Sequence, residues 1–281
     1  MRVGLKREFV MLAALDPFEH VLDTTEWHIV ESWNITIHLP KIFGFQITKF
    51  MVLQLIAAGV ILAIFIPIGR RARDGSPPRG VFWNLFEGLL TFVRDQVARP
   101  AIGHGADRYV PILWTIFLYV LACNLMGMFP FLASPTASIS VTGGLALIAF
   151  FLIHGGAVAK LGPIQYLNSY VPHIEVPFAV GIFLIPMIIF IEAFGNLIKA
   201  SVLAVRLFAN MLGGHTVLSV ILLFIVMVKD QAWYIFVPIT AVSVLGVVAL
   251  SLLELFVAFL QAYIFTFLTA LFLGMQLHPE H

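Results

Sequence analysis

One arginine lies where charge is costly. Arg206 falls within an apolar run of about fifty residues, between positions 176 and 228. On insertion scales, an arginine in hydrocarbon costs roughly 2.5 kcal/mol or more, and its guanidinium cannot avoid that cost by losing its proton. Ionisable groups in such segments usually face a water-filled path or a partner. The residue therefore predicts a site that uses a permanent positive charge.

Other polar residues follow Arg206 at helical spacing. Glu192, Lys199 and Arg206 are seven residues apart, close to two helical turns, and so line one stripe. Asn210 continues that stripe four residues further on. Two structural alternatives stay open: Lys199 could be a simple interface anchor, and Asn210 could be a hydrogen-bonding contact between helices.

The last apolar segment carries a second polar face. Glu254 and Gln261 are also seven residues apart, so they share one side of a helix. Gln261 has the same interhelical alternative as Asn210, and an Arg206–Glu254 ion pair is a structural alternative for that glutamate. His215 lies nine residues after Arg206. It should therefore face the other way, unless the Gly213–Gly214 pair bends the helix.

Composition determines which elements must position these residues. The chain has 281 residues, of which 60% are hydrophobic and only 11% charged. Because soluble domains are about 45–50% apolar and about 25% charged, the sequence predicts an all-α polytopic membrane protein that sits in a lipid bilayer. The net charge of +1 gives no case for nucleic acid, and the single Cys123 allows neither a disulfide nor a thiolate metal cluster.

The apolar runs predict about five membrane crossings and one amphipathic helix on the membrane surface. An N-terminal segment, 1–47, is interfacial, and 48–281 forms a single transmembrane domain. The spans are expected at 48–69, 109–132, 139–159, 176–228 and 232–276, with the surface helix at 80–100. The last two runs are about twice the length of one crossing and lack clear turn signals. They therefore predict two long, strongly tilted helices.

Basic residues predict the orientation of the chain. Seven of the sixteen lysines and arginines fall between positions 70 and 108, which puts this loop in the cytoplasm. The N-terminus is then periplasmic, and five crossings leave the C-terminus cytoplasmic.

Two segments carry a specific resemblance. Arg206-Leu-Phe-Ala-Asn210-Met, with Glu192 before it, and Leu260-Gln261-Ala-Tyr-Ile-Phe265 resemble subunit a of the F-type ATP synthase family. Asn124-Leu-Met-Gly and Pro135-Thr-Ala-Ser-Ile-Ser-Val-Thr142 support the likeness, which covers about residues 105–278. Ala200 departs from the proline that many members have there, which puts any role of Lys199 in doubt.

The resemblance implies a site shared with another subunit. Members of this family lie beside a rotating c-ring whose carboxylates receive protons through two aqueous half-channels. By resemblance, Arg206 is the fixed charge that faces the ring and prevents a proton short circuit, and Gln261 lies opposite it. His215 and Glu254 line the periplasmic half-channel. Glu192 belongs to the cytoplasmic path and Asn210 to the polar lining.

Some bacterial members of the family have a carboxylate at the position of His215 and a histidine at the position of Glu254, so the order is exchanged in this chain. Either order supplies one of each, so the two side chains are expected to meet. The resemblance also implies the peripheral-stalk b subunits and the rest of the ATP synthase as partners, in a bacterial inner membrane. It implies no cofactor, no metal and no catalytic site in this chain.

The sequence disfavours two other classes of membrane protein. A secondary transporter should show an internal repeat with helices broken at matching positions, and the sequence shows none. A haem-linked or quinone-linked redox subunit should show paired histidines in facing spans. The two histidines in the spans, His154 and His215, lie in settings too dissimilar to suggest such a pair.

Overall fold

The structure, a computed structural model, describes residues 26–30, 35–38, 41–42, 45–73, 80–129, 133–168, 178–229 and 231–278. Most of the predicted interfacial segment 1–47 and positions 74–79 of the basic loop lie outside these residues. Before the first helix there are two short antiparallel pairs, β1 Glu26–Val30 with β2 Ile35–His38 and β3 Lys41–Ile42 with β4 Phe45–Gln46. The sequence analysis did not predict these strands.

Five of the described helices are long and apolar enough to cross a membrane. They are α1 Lys49–Arg73, α4 Val110–Gly127, α5 Ile139–Leu161, α7 Phe178–Met227 and α8 Trp233–Leu277. Between them lie the shorter helices α2 Val81–Phe92, α3 Arg99–Ile102 and α6 Pro163–Asn168. The helical, polytopic fold class with five crossings is confirmed.

Helices α7 and α8 are continuous over 50 and 45 residues. Neither Pro186 nor Pro238 ends its helix, and α7 runs without interruption through Gly213 and Gly214. At 1.5 Å per residue, each helix is about 70 Å long, against roughly 30 Å of hydrocarbon. Such helices fit a bilayer only by tilting or by extending beyond the hydrocarbon.

The predicted surface helix begins at Val81 and changes its hydrogen bonding in the middle. Helix α2 passes into a π-helical turn, Val93–Ala98, and then into α3. Near this change the Leu90 carbonyl accepts a hydrogen bond of 2.7 Å from the Trp114 indole nitrogen on α4. Val93 and Val97 are fully buried, so this end of the surface helix packs into the protein.

The described residues form two compact units, to which both long helices contribute. The larger unit spans residues 57–122, 139–207 and 259–281. Its core combines Val93 and Val97 of the surface helix with Leu113 of α4, Leu207 of α7 and Leu273 of α8. Gly274 allows the closest approach in this unit, because a Cβ there would lie 2.1 Å from the Ala101 carbonyl oxygen.

The smaller unit comprises residues 1–56, 123–138 and 208–258. One small core joins Ala137, Met211 and Ala258, and another joins Phe50, Leu53 and Ala133. The prediction of one transmembrane domain over 48–281 stays a prediction.

Ion pairs brace the turn between the surface helix and α4. Asp107 accepts from Arg94 at 3.3 Å and lies 3.4 Å from the Arg99 Nε, while Arg99 also pairs with Asp95 at 2.8 Å. Hydrogen bonds from Arg94 and Arg99 hold the pKa of Asp107 below its ordinary value. Because these groups are exposed, such pairs contribute little to stability.

Candidate functional site

Arg206 lies at the border between a buried and an exposed face of α7. Leu203 and Leu207 are buried in the core of the larger unit, whereas Val202 and Val205 are exposed and Arg206 itself is half-buried. Among the described residues of its own unit, no carboxylate forms an ion pair with the guanidinium. Its charge therefore has no counter-ion in this part of the protein.

The exposed side of α7 beside Arg206 is a long apolar stripe. Its members recur at helical spacing and have 45–68% of their surface exposed. They are Phe190, Ile191, Phe194, Leu197, Ile198, Val202 and Val205. A stripe of this length on a membrane helix is typical of contact with lipid or with another apolar surface.

The other residues of the predicted α7 stripe differ in exposure. Glu192 and Lys199 are half-buried like Arg206, whereas Asn210 is exposed. Because α7 is one continuous helix, the seven-residue spacing of Glu192, Lys199 and Arg206 keeps them on one side. The continuous helix therefore aligns these three residues along one stripe, as their spacing predicts.

Glu254 and Gln261 lie on the buried face of α8, as their spacing predicted. Gln261 is only 3% exposed and Glu254 only 7% exposed, whereas Leu252 and Phe256 are largely exposed. Burial of a polar side chain without a partner is costly, so both positions require polar surroundings.

Lys199 turns toward neighbours within the larger unit. Its Nζ donates to the Asn196 Oδ1 at 3.1 Å and lies 5.3 Å from the centre of the Phe272 ring, within cation–π range. A cavity of about 20 Å³ has room for roughly one water molecule, and its lining includes Lys199, Asn196 and His154. The sequence analysis gave Asn196 no role.

His154 pairs with a tyrosine, whereas a haem-linked or quinone-linked redox subunit would require a second histidine. Its Nδ1 lies 2.5 Å from the Tyr166 hydroxyl, and its ring contacts Phe150. In the described part of the chain, His154 and His215 each have a partner other than histidine.

The structure brings His215 and Glu254 together in the smaller unit. The His215 Nδ1 and the Glu254 Oε1 are 3.7 Å apart, and the side chains are 18% and 9% exposed. This distance fits an ion pair but exceeds a hydrogen bond. Neither the Glu254 Oε1 nor the His215 Nε2 has a hydrogen-bond partner among the described residues.

Two glycines make room for this pair. A Cβ on Gly214 would lie 2.6 Å from the Glu254 Oε1, and a Cβ on Gly127 would lie 2.9 Å from the His215 Nε2. Real Cβ atoms do not approach other atoms this closely, so any side chain at either position would displace its neighbour. Gly213, next in sequence, has nothing within 4 Å of its Cβ position.

A buried hydrogen-bonded network lies in the same unit. The Asn124 amide donates to the Ala258 carbonyl at 3.2 Å and accepts from the Thr136 hydroxyl at 2.8 Å. Thr136 is 2.6 Å from the Ser134 hydroxyl, which also donates to the Cys123 carbonyl at 3.2 Å. No role in a network was predicted for this region from the sequence. Its signal there is three polar residues, Asn124, Ser134 and Thr136, near the end of an apolar span.

Comparison with known proteins gives one consistent result. The family described as ATP synthase A chain matches residues 51–274. The chain is 38% identical over 277 residues to ATP synthase subunit a of Chloroherpeton thalassium, covering 95% of this chain and 78% of that protein. It is 36% identical over 275 residues to ATP synthase subunit a of Myxococcus xanthus, covering 93% and 87%.

Proposed function

The chain belongs to the ATP synthase A chain family, whose members are the proton-translocating subunits of the membrane sector, and we propose on this premise that Arg206 is its fixed electrostatic gate. In this proposal the chain is a stator subunit beside a rotating c-ring. Two aqueous half-channels deliver protons to the ring carboxylates and remove them, and Arg206 separates the two.

The observation that carries the proposal is the setting of Arg206. Its guanidinium is half-buried at the edge of an exposed apolar stripe, and none of the described carboxylates of its own unit pairs with it. A permanent charge in such a place requires an anionic partner on whatever covers the stripe. A ring of apolar hairpins, each with one carboxylate, supplies both the apolar surface and the anion.

Charge arithmetic explains how the gate would work. At about 4 Å and an effective dielectric near 20, Arg206 attracts an ionised carboxylate by about 4 kcal/mol, or roughly three pKa units. A protonated ring site that arrives there therefore loses its proton to the exit path. While the site stays ionised opposite Arg206, protons cannot cross directly, so they must travel with the ring.

The remaining polar residues are assigned to the two paths. His215 and Glu254, 3.7 Å apart, line the periplasmic entry. A histidine and a carboxylate suit that task because imidazole exchanges protons near neutral pH. Gln261 lies opposite Arg206, Asn210 belongs to the polar lining, and Glu192 serves the cytoplasmic exit.

A water-sized cavity beside Lys199, with several polar residues in its lining, fits the same exit. The amide of Asn196 and the imidazole of His154 border that cavity beside the Lys199 ammonium. Polar groups that line space for water are what a proton path through a bilayer requires.

The surroundings follow from the same family membership. The chain is a multi-pass membrane protein that works as part of the ATP synthase complex. We assign it to a bacterial inner membrane, since the relatives are bacterial, with its N-terminus periplasmic and its C-terminus cytoplasmic. The peripheral-stalk b subunits would hold it against the turning ring.

Replacing Arg206 by alanine tests the gate. In inverted membrane vesicles that hold the whole complex, we expect Arg206→Ala to abolish proton-driven ATP synthesis. After removal of the catalytic sector, passive proton flux should persist or rise, because the barrier between the paths is lost. Leu147→Ala is the control: it shortens an exposed apolar side chain on α5, outside the stripe that the ring would cover, and should leave synthesis within about twofold, as surface changes usually do.

Assembly must be measured in the same preparations. Copurification of the c-ring with each variant separates a loss of gating from a loss of the complex. If Arg206→Ala vesicles contained assembled complex and still made ATP from a proton gradient, the gate proposal would be wrong.

A further inference from the structure

The two ring nitrogens of His215 face different surroundings. Its Nδ1 lies 3.7 Å from the Glu254 Oε1, while its Nε2 points toward Gly127 and Ser134. The position of a Cβ on Gly127 is 2.9 Å from the Nε2 and 3.2 Å from the Ser134 Oγ. These two polar atoms therefore border the same small space and are at most about 6 Å apart.

Hydrogen-bond counting shows what the Ser134 oxygen can still do. A hydroxyl has one proton to donate and two lone pairs to accept with. Thr136 donates its proton to the Asn124 Oδ1, so Ser134 is the donor in the 2.6 Å contact with Thr136, and its one proton is shared between Thr136 and the Cys123 carbonyl. Ser134 accepts a hydrogen bond from no described residue, and its Oγ lies 3.2 Å from the Gly127 Cβ position, beside His215.

The two atoms are close enough for a single water molecule to bridge them. Two hydrogen bonds of about 2.8 Å in sequence span just under 6 Å, and a buried water typically bonds polar groups that have no other partner. The His215 Nε2 is such a group, since it is buried and has no hydrogen-bond partner among the described residues.

We propose that Ser134 and His215 hold a water molecule between the Oγ and the Nε2, and that this water delivers protons to His215. This inference rests on the entry path assigned to His215 and Glu254 above. The water gives a proton to the Nε2 and regains one from the next water on the entry side. The imidazolium then releases its Nδ1 proton to Glu254, so one proton has moved and the ring is neutral again.

The neighbours of this water act as positioning residues. Asn124 and Thr136 fix the direction of the Ser134 hydroxyl, and Asn124 is itself tied to α8 through the Ala258 carbonyl. Gly127 leaves the space open, because even a methyl group there would contact the Nε2 and the Ser134 side chain.

Ser134→Ala provides the test, in vesicles with the whole complex. ATP synthesis is measured against proton concentration on the entry side, at a fixed membrane potential. We expect the half-saturating proton concentration to rise by about threefold or more, roughly the worth of one hydrogen bond, with little change in the maximal rate. A purely structural defect would lower the maximal rate and leave half-saturation unchanged.

The matched control is Thr269→Val, which also deletes a buried hydroxyl. That hydroxyl donates only to the Phe265 carbonyl of its own helix, so half-saturation should stay at the wild-type value. Thr136→Val keeps the side-chain shape and should show a smaller shift of the same kind, which provides a second test if Ser134→Ala assembles poorly.

The outcomes separate the two proposals. If Ser134→Ala and Thr136→Val both keep wild-type half-saturation while Arg206→Ala is inactive, the water site is wrong and the gate stands. If Arg206→Ala still supports synthesis, the gate itself is wrong, whereas a shifted half-saturation in Ser134→Ala would still support the water site on the entry path.

Discussion

Two ionisable side chains on the long helices, Glu254 and Arg206, differ in whether a partner of opposite charge type lies nearby. Glu254 is almost fully buried and has His215 at 3.7 Å. Arg206 is half-buried, and no carboxylate that the structure describes in its own unit forms an ion pair with it. Glu254 therefore has a titratable partner within its own unit. The proposed gate, in contrast, requires Arg206 to find its anion on a second molecule.

At this scale Gly214 can be tested against its neighbour Gly213. An alanine in a helix interior gains up to about 1 kcal/mol over glycine. At Gly213 nothing opposes that gain, whereas at Gly214 the new methyl would lie 2.6 Å from the Glu254 Oε1. Because that oxygen ends a flexible side chain, the carboxylate can move away at little cost in stability.

We therefore expect Gly214→Ala to assemble normally but to lower coupled ATP synthesis by about tenfold, since small misplacements of reacting groups cost large factors in rate. Gly213→Ala should be close to wild type. Assays of synthesis rate and complex yield in both variants decide the matter. Equal activity of the two variants would show that the position of Glu254 does not limit proton entry.

At the scale of elements, the surface helix is part of the transmembrane packing. Its second half contributes Val93 and Val97 to the main core, and its carbonyl at Leu90 is held by Trp114. The segment after it touches α8 at backbone distance, where Gly274 faces the Ala101 carbonyl. Helix α8 is therefore held in place near its C-terminal end.

Gly274→Ala tests this close approach. The Cβ would lie 2.1 Å from a backbone oxygen, which cannot swing aside as a side chain does. Overpacking of this kind costs about 1–3 kcal/mol, which exceeds the helix-propensity gain of about 1 kcal/mol. We expect a lower thermal midpoint for the detergent-purified complex.

The control is Gly143→Ala on α5, where nothing lies within 4 Å of the new methyl. That variant should match or slightly exceed the wild-type midpoint. A Gly274→Ala midpoint as high as that of Gly143→Ala would mean that the two backbones do not meet as described.

At the scale of the whole molecule, the sequence predicted what depends on composition and period. Apolar runs gave the five long helices, and seven-residue spacing gave the shared faces of Glu254 and Gln261. It could not predict the Ser134 network, because those contacts depend on tertiary geometry: Ser134 and Thr136 contact the end of α4, and Asn124 contacts Ala258, which is far away in the chain. Nor could it predict that Gly127 and Gly214 face particular side chains, because the sequence does not distinguish a glycine at a close contact from any other glycine. The π-helical turn at Val93–Ala98 had no sequence signal that we recognised.

Orientation in the membrane is also a whole-molecule property. With Cys123 replaced by serine, His104→Cys and Lys229→Cys place single thiols at two exposed turns. Three membrane helices separate these positions, so they should lie on opposite sides. A membrane-impermeant maleimide should label His104→Cys only in inverted vesicles and Lys229→Cys only in right-side-out vesicles. Labelling of both from the same side would contradict the assigned crossings.

The uninterrupted length of α7 has a consequence for biogenesis. A translocon selects windows of about 20 residues, and a helix of 50 residues offers it many overlapping windows. Each window centred near Lys199 or Arg206 carries a penalty of roughly 2.5–3.5 kcal/mol per charge, whereas windows beyond Asn210 contain no lysine, arginine or carboxylate before position 228. The C-terminal half of α7 should therefore enter lipid first. The arginine-bearing half would settle only once an insertase or an already assembled subunit shields the charge.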